Sequence, residues 1–414
     1  MELTKCQENA FKTFLGFLCT PAKDMVISGP PGVGKTYMTR HLIDELPKAG
    51  RIQAIMGKEP INQVALTATT NKAAEVLQQR FPGYTVSTIH SYLGIGVKDN
   101  YKTGKTELVK TPNFKVAENT LIFIDEASME DTPLLNMIDE GTKNCKLIHI
   151  GDHCQLAPVS ELNSPVFNSG FLTTQLNTQV RTKNSPELSA LNDQLRTTVE
   201  TGIFKPMLPV DGVIEYLSDA QLQNELKLHF IQQETPGHKI LAFTNNTVQL
   251  YNQYIREQKG LPNTFVVGDV VTSNNSIETS KEGNRTVVEK SYVVQHVGPI
   301  SQFEGISYYT VNIGAGGDVL QPLNYQEVSN LLRRLAAKQD WFNYFNVKNM
   351  FADLRLSYAQ TAHKSQGSTY HTVYVDLGDI GTCRDANTIA RLIYVACSRA
   401  TTRVCFYGSL PVMR

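Results

Sequence analysis

The stretch that most restricts how this chain can fold is residues 26–40, VISGPPGVGKTYMTR. An apolar run enters a glycine-rich loop of the form G-x-x-x-x-G-K-T, Gly29 to Thr36, and YMTRHLIDEL then repeats apolar residues at helical spacing. Strand, loop and helix in that order belong to a parallel sheet covered by helices. Glycines let backbone N–H groups turn inward around phosphate oxygens, and the helix start adds unpaired N–H groups and the positive end of its dipole. Gly29, Pro30, Gly32, Val33, Gly34, Lys35, Thr36 and Tyr37 are therefore the expected nucleotide cradle, with Lys35 on the β/γ-phosphates and the Thr36 hydroxyl on Mg²⁺. The loop alone leaves kinase, switch and motor open.

Composition bounds the remainder. A chain of 414 residues can hold two or more domains. Lys+Arg and Asp+Glu both number 39, so no global field draws the chain to nucleic acid, and any polyanion site must be local. The seven cysteines are scattered and form no C-x-x-C pair, which argues against a disulfide framework or a zinc site and suits a reducing cytoplasm. No apolar run approaches the roughly 18 residues of a membrane span, so neither a span nor a signal peptide is expected.

Past residue 20, the strand-like runs DMVIS, QVALTA, NTLIFID and KLIHIGD alternate with helical segments, giving a first α/β core over 1–180. At about 94–117 that core carries a polar insert with a hairpin-like KTGK centre. Its lysines (98, 102, 105, 110, 115) exceed Asp99 and Glu107 by three charges. A second α/β unit starts within 181–261 and resumes over 354–414. Between them, 262–353 changes texture to short β-rich runs with Gly/Asn turns and then a helical stretch, as in a small inserted β domain.

The run LIFIDEAS supplies a second half for the nucleotide site. A buried strand delivers Asp125 and Glu126 to the sheet's carboxyl edge, where the glycine loop also lies. Asp125 suits the Mg²⁺ shell, and Glu126 suits a base that orients and deprotonates water, which favours hydrolysis over transfer to a metabolite. IHIGDHCQLAPV ends a further strand beside the nucleotide and places Gln155 where an amide can sense the γ-phosphate. Arg181 in LNTQVRTK and Arg399 in YVACSRATT are candidate guanidinium donors to a transferring phosphoryl group.

These motifs, with TATTNKAAEVL, STIHSYL, LAFTNN and TAHKSQGSTY in order, resemble superfamily 1 helicases of the RecD-like and phage Dda-like branch. The resemblance covers nearly the whole chain, and AHKSQG followed by YVACSRA has no counterpart in P-loop kinases. It implies two RecA-like parallel-sheet cores in tandem with ATP and Mg²⁺ in the cleft between them. It also implies a pin hairpin inserted in the first core and a β-barrel-like domain in the second. Gln7 in LTKCQENAF becomes the adenine reader, Gly367 approaches the γ-phosphate, and Arg181 and Arg399 are arginine fingers.

The implied activity is ATP-driven 5′→3′ movement on single-stranded DNA with separation of duplex, in replication, recombination or repair. Thr70, Asn71, Thr88 and His90 of the first core and Asn245, Thr361, His363 and Lys364 of the second are the implied DNA contacts. They should address phosphates, because a motor must accept any sequence. Tyr101 or Phe114 of the hairpin is a candidate for stacking at the junction, and Trp341 is expected to pack. The implied protein works as a monomer on single-strand/duplex junctions in the cytoplasm of a bacterial or phage-infected cell, with replication or single-strand-binding proteins as possible partners. A small-molecule phosphotransferase, an ATP-switched DNA-binding protein and a translocase that unwinds poorly stay open as alternatives.

Overall fold

The computed structural model describes residues 3–55, 57, 61, 63–158, 161, 163–179 and 185–410. Six parallel strands form the first sheet, in the order Leu172–Gln175, Asp24–Ser28, Lys146–Gly151, Thr120–Asp125, Gln63–Ala68, Val86–Thr88. Its central strands are apolar on both faces, and Met25, Ile27, Leu121, Phe123, Ile148 and Ile150 pack with Phe14, Phe17, Met38 and Leu42 of covering helices. The first helix, Lys5–Leu18, opens with a capping box between Thr4 and Gln7.

Five more parallel strands build the second sheet: Ile214–Leu217, Ala400–Tyr407, Tyr370–Asp376, His238–Ala242, Ala359–Thr361. Helix Ala386–Cys397 crosses its face with every residue from Ile389 to Cys397 buried. A helix enclosed all round is a core element, and it is packed by helix Pro186–Thr201 through Leu188, Leu191, Leu195 and Val199. The expected α/β architecture with two parallel-sheet cores is present.

Two three-stranded antiparallel sheets separate the halves of the second core. One holds Ser291–Val293, Val270–Ser273 and Leu354–Leu356; the other holds His296–Phe303, Ile306–Asn312 and Asp318–Pro322. Val271, Tyr309, Val311, Val319 and Leu354 share one core. The antiparallel unit thus reaches three residues past 353, because Leu354–Leu356 completes its sheet before the chain returns. Two helices, Tyr325–Ala337 and Trp341–Met350, pack beside it through Val328, Leu331, Val347 and Phe351.

The lysine-rich insert of the first core is a two-stranded hairpin, Ile95–Asp99 with Thr106–Lys110. Gly94 at its base has φ +73, and a Cβ there would collide with the Asn113 carbonyl, so only glycine serves. The far end of the hairpin rests on helix Trp341–Met350. Tyr101 meets Phe345 edge-on at 5.0 Å, and Lys348 Nζ lies 3.3 Å from Asp99 Oδ1 and donates to Thr106 Oγ1 at 2.9 Å. A Cβ on Gly104 would run into the Trp341 ring. Tyr101 packs on Phe345 yet stays 49% exposed, and the Phe114 ring lies under the Lys110 ammonium at 4.7 Å. Among the described residues, no helix is long and apolar enough to cross a membrane.

Candidate nucleotide cleft and polynucleotide groove

Strand Asp24–Ser28 ends at the glycine loop, and helix Lys35–Asp44 begins where the loop closes. Gly32 (φ +90) and Gly34 (φ +83) supply the left-handed turns. Gly29 answers a different demand, since a Cβ there would collide with the Leu176 carbonyl oxygen. Lys35 Nζ donates to the Gly29 and Pro30 carbonyls at 2.7 and 3.0 Å. Burial lowers its proton affinity, opposed by the charges of Asp152, Glu126 and Asp125.

The next strand but one in space, Thr120–Asp125, brings in the carboxylates. Burial and the neighbouring Glu126 push Asp125 up to about 6, against the pull of Lys35. Glu126 sits in the left-handed region at φ 55, a conformation that costs a non-glycine residue about 1–3 kcal/mol. Local bonds hold it there: its N–H donates to Asp125 Oδ1 at 3.0 Å, and its carbonyl accepts from Thr69 Oγ1 at 2.9 Å.

A cleft of about 780 Å³ joins these groups to the second core. Gly32, Gly34, Lys35, Thr36, Tyr37, Asp125, Glu126 and Gln155 line one side, and Gly367, Ser368, Thr369 and Arg399 line the other. Glu126 Oε1 is 3.8 Å from where a Cβ on Gly367 would lie, so the second core reaches the carboxylate itself. Arg399 is buried; burial lowers its proton affinity, with the Glu126 charge opposing most strongly. The guanidinium donates from Nε to the Val395 carbonyl (3.2 Å) and from Nη2 to Ser398 Oγ (3.0 Å). Among the described residues it forms no ion pair, leaving its charge available to a ligand.

Not every expected cradle residue faces this space. Gly29, Pro30 and Val33 shape the loop from behind, Val33 within the core. Gln7 is buried behind the loop. Its Oε1 accepts from the Thr4 N–H at 3.0 Å, and its Nε2 donates to the Val33 carbonyl at 3.2 Å, so the amide braces the loop. Arg181 lies outside the described residues.

A second cavity of about 450 Å³ opens between the first core, the second core and the antiparallel unit. Asn245, Thr361 and Lys364 line it, joined by Lys72, Arg355 and Glu289, which sequence reasoning missed. Burial and Arg355 lower the proton affinity of Lys364, with Asp353 and Glu289 opposing. Arg355 Nη1 donates to Asn245 Oδ1 at 2.6 Å, fixing that amide. Gly367, Ser368 and Thr369 of the second core line both cavities, as do Val76, Gln79 and Arg80 of the first, so the two share a wall.

Thr70, Asn71, Thr88, His90 and His363 line neither cavity. Thr70 and Thr88 cap helices, accepting from the Ala73 and Ser91 N–H groups at 3.1 Å each. Thr361 Oγ1 accepts from the Lys364 N–H at 3.4 Å. Asn71 Nδ2 donates to the Val288 carbonyl at 3.4 Å, tying the first core to the antiparallel unit. Burial depresses both His90 and His363, leaving neutral rings at pH 7.

Comparison with known proteins agrees with this geometry. A family described as "AAA domain" matches residues 17–161, and "UvrD-like helicase C-terminal domain" matches 356–407. The chain is 24% identical to the ATP-dependent DNA helicase dda of Enterobacteria phage T4, over 96% of this chain and 97% of that one. It is 23% identical to the ATP-dependent DNA helicase Pif1 of Bdellovibrio bacteriovorus, over 88% and 80%. The fold matches a Pif1 helicase from Bacteroides, solved with ADP-AlF3 and single-stranded DNA, at a TM-score of 0.50 and 14% identity over 98% and 92% of the two chains. With two parallel-sheet cores meeting at one nucleotide cleft, the chain is similar over most of its length to helicases of the Dda, Pif1 and RecD kind.

Proposed function

We propose that this protein is an ATP-dependent DNA helicase that moves 5′→3′ on single-stranded DNA and separates duplex at junctions. One observation carries the reading: Gly367–Thr369 walls both the nucleotide cleft and the polynucleotide groove. The cleft and the groove thus share a wall, through which a change in one reaches the other. A small-molecule phosphotransferase would leave that segment, Arg399 and the second sheet without a role. The same reading places the protein with DNA in the cytoplasm, working as a monomer.

Lys35 and the loop N–H groups hold the phosphates, and Glu126 orients the attacking water and takes its proton. Gln155 senses the γ-phosphate, and Arg399 stabilises charge as the bond breaks. The Thr36 hydroxyl and Asp125 carboxylate are hard oxygen donors facing one cleft, so they fit Mg²⁺ and would hold it. Its chemistry there is neutralisation of phosphate charge. With ATP bound, charge-assisted hydrogen bonds form from both sides of the cleft; once the γ-phosphate leaves, those bonds break and the cores separate.

The test is ATP turnover with and without single-stranded DNA, then unwinding of duplexes bearing a 5′ or a 3′ tail. Strong stimulation and a 5′-tail requirement are expected; turnover indifferent to DNA would sink the reading. The docked hairpin supports a strand-separating role that depends on rigidity. Gly104→Val, which meets Trp341, should lose most unwinding yet keep DNA-stimulated hydrolysis, as gel-based unwinding and phosphate release will show.

Glu289 gives a further expectation. It holds a left-handed backbone at φ 67 in the groove, where burial raises its proton affinity and the charges of Lys364 and Lys72 oppose that. Phosphates must compete with its carboxylate for those lysines. Glu289→Gln should bind single-stranded DNA more tightly, with the salt-dependence slope steepened by up to about 0.7 for each additional phosphate the lysines neutralise. Anisotropy titrations across a salt series measure both.

A further inference from the structure

Arg391 stands in the buried run Ile389–Cys397 of helix Ala386–Cys397, an expensive place for a charge. It is 8% exposed and, among the described residues, forms no ion pair. Its partners are neutral oxygens arranged around the fork. Nε donates to Asn387 Oδ1 at 2.7 Å, one turn back on the same helix, which fixes the plane of the guanidinium. Nη1 donates to the carbonyls of His153 and Gln155, both at 2.6 Å, and Nη2 donates to Asn163 Oδ1. A side chain of the second core thus holds the backbone of the first core's Gln155 loop at two points.

The same loop is gripped elsewhere. Asp152 accepts from Arg196 Nη1 and from the Tyr394 hydroxyl, both at 2.6 Å. Tyr394 lies three residues beyond Arg391, on the same helix face. The Gln155 side chain accepts from Gln366 Nε2 at 3.2 Å. Within the loop the Gln155 N–H donates to the Asp152 carbonyl at 3.1 Å. Of the contacts from the second core, only those of Arg391 reach the Gln155 main chain and so bear on the direction in which its amide leaves the loop.

We propose that Arg391 is a positioning residue for Gln155, aligning that amide with the γ-phosphate and making its alignment depend on where the second core stands. The proposal rests on the helicase reading above. A lysine keeps the charge but not the planar fork, so it cannot serve Asn387, Asn163 and two carbonyls together.

The test measures kcat with saturating single-stranded DNA, and the affinities of a fluorescent ADP and a fluorescent non-hydrolysable ATP analogue. The variants are Arg391→Ala, Arg391→Lys, Gln155→Ala and the double variants. Arg391→Ala is expected to lower kcat about 10- to 100-fold, the size of effect that misplacing a reacting group has. ADP affinity, which involves no γ-phosphate, should stay within about twofold while the extra affinity for the ATP analogue disappears. Adding Arg391→Ala to Gln155→Ala should cost nothing more, because the two residues act as one unit. Should Arg391→Ala not fold, Arg391→Lys decides the matter by the same non-additivity. Full turnover in the Arg391 variants, equal loss of both nucleotides, or effects that multiply with Gln155→Ala overturn the inference. A parent chain without DNA-stimulated turnover overturns the helicase reading itself; a stimulated parent with those variant outcomes overturns this inference alone.

Discussion

An Arg399→Ala protein should bind ATP with nearly unchanged affinity and hydrolyse it about 10³–10⁵-fold more slowly, the range measured when an arginine donor is removed from a phosphoryl-transfer site. The phosphate cradle belongs to the first core, so most ground-state binding survives. Arg399 comes from the opposite wall, donates to a carbonyl and a hydroxyl, and among the described residues forms no ion pair, with Glu126 acting on its charge only at a distance. A contribution confined to the transition state lowers kcat and kcat/KM together. Equilibrium binding of a fluorescent ATP analogue and single-turnover hydrolysis separate the two effects. Normal turnover in this variant would mean that the cleft is not two-sided in action.

The second large effect concerns stability. His149 is fully buried in the strand beside the one that enters the glycine loop, with Nδ1 3.0 Å from Glu130 Oε1 and Nε2 3.2 Å from Asp24 Oδ1, and Phe171 stacked on its ring at 5.7 Å. Burial alone would depress it, but the charge of Glu130 and bonds to Asp24 and Glu130 raise it to about 9. His149→Gln strands the buried Glu130 carboxylate, and breaking such a pair from one side costs about 3–5 kcal/mol. Because the folded value exceeds the unfolded one of about 6.5, the stabilisation is fully present below pH 6.5 and is lost as pH rises through about 9. Denaturant midpoints of parent and variant should therefore lie far apart at pH 6 and converge towards pH 10. A gap that stays constant over that range would exclude a protonated His149.

Much of the site was legible because its signals are local. The glycine loop, the Asp125–Glu126 pair and the Gln155 loop each follow a strand, and a parallel sheet brings strand ends to one edge whatever the tertiary detail. What stayed hidden is pairing across distance. Nothing near Arg391 in the sequence announces that it holds carbonyls 236 and 238 residues away, and nothing near Glu289 announces Lys72 or Lys364. Other candidate residues also have nearer partners within the chain. Gln7 completes a capping box because it lies three residues after Thr4, and Thr70 and Thr88 cap the helices they precede. The Thr4–Gln7 spacing could have given that away. Tyr101 had no such signal, since its partner Phe345 lies on another domain's helix.

The partition made by Gly367, Ser368 and Thr369 has a thermodynamic corollary. Filling one of two compartments that share a wall changes the free energy of filling the other. Whatever factor an oligonucleotide applies to the dissociation constant of a nucleotide analogue, the analogue must return to the oligonucleotide in equal measure.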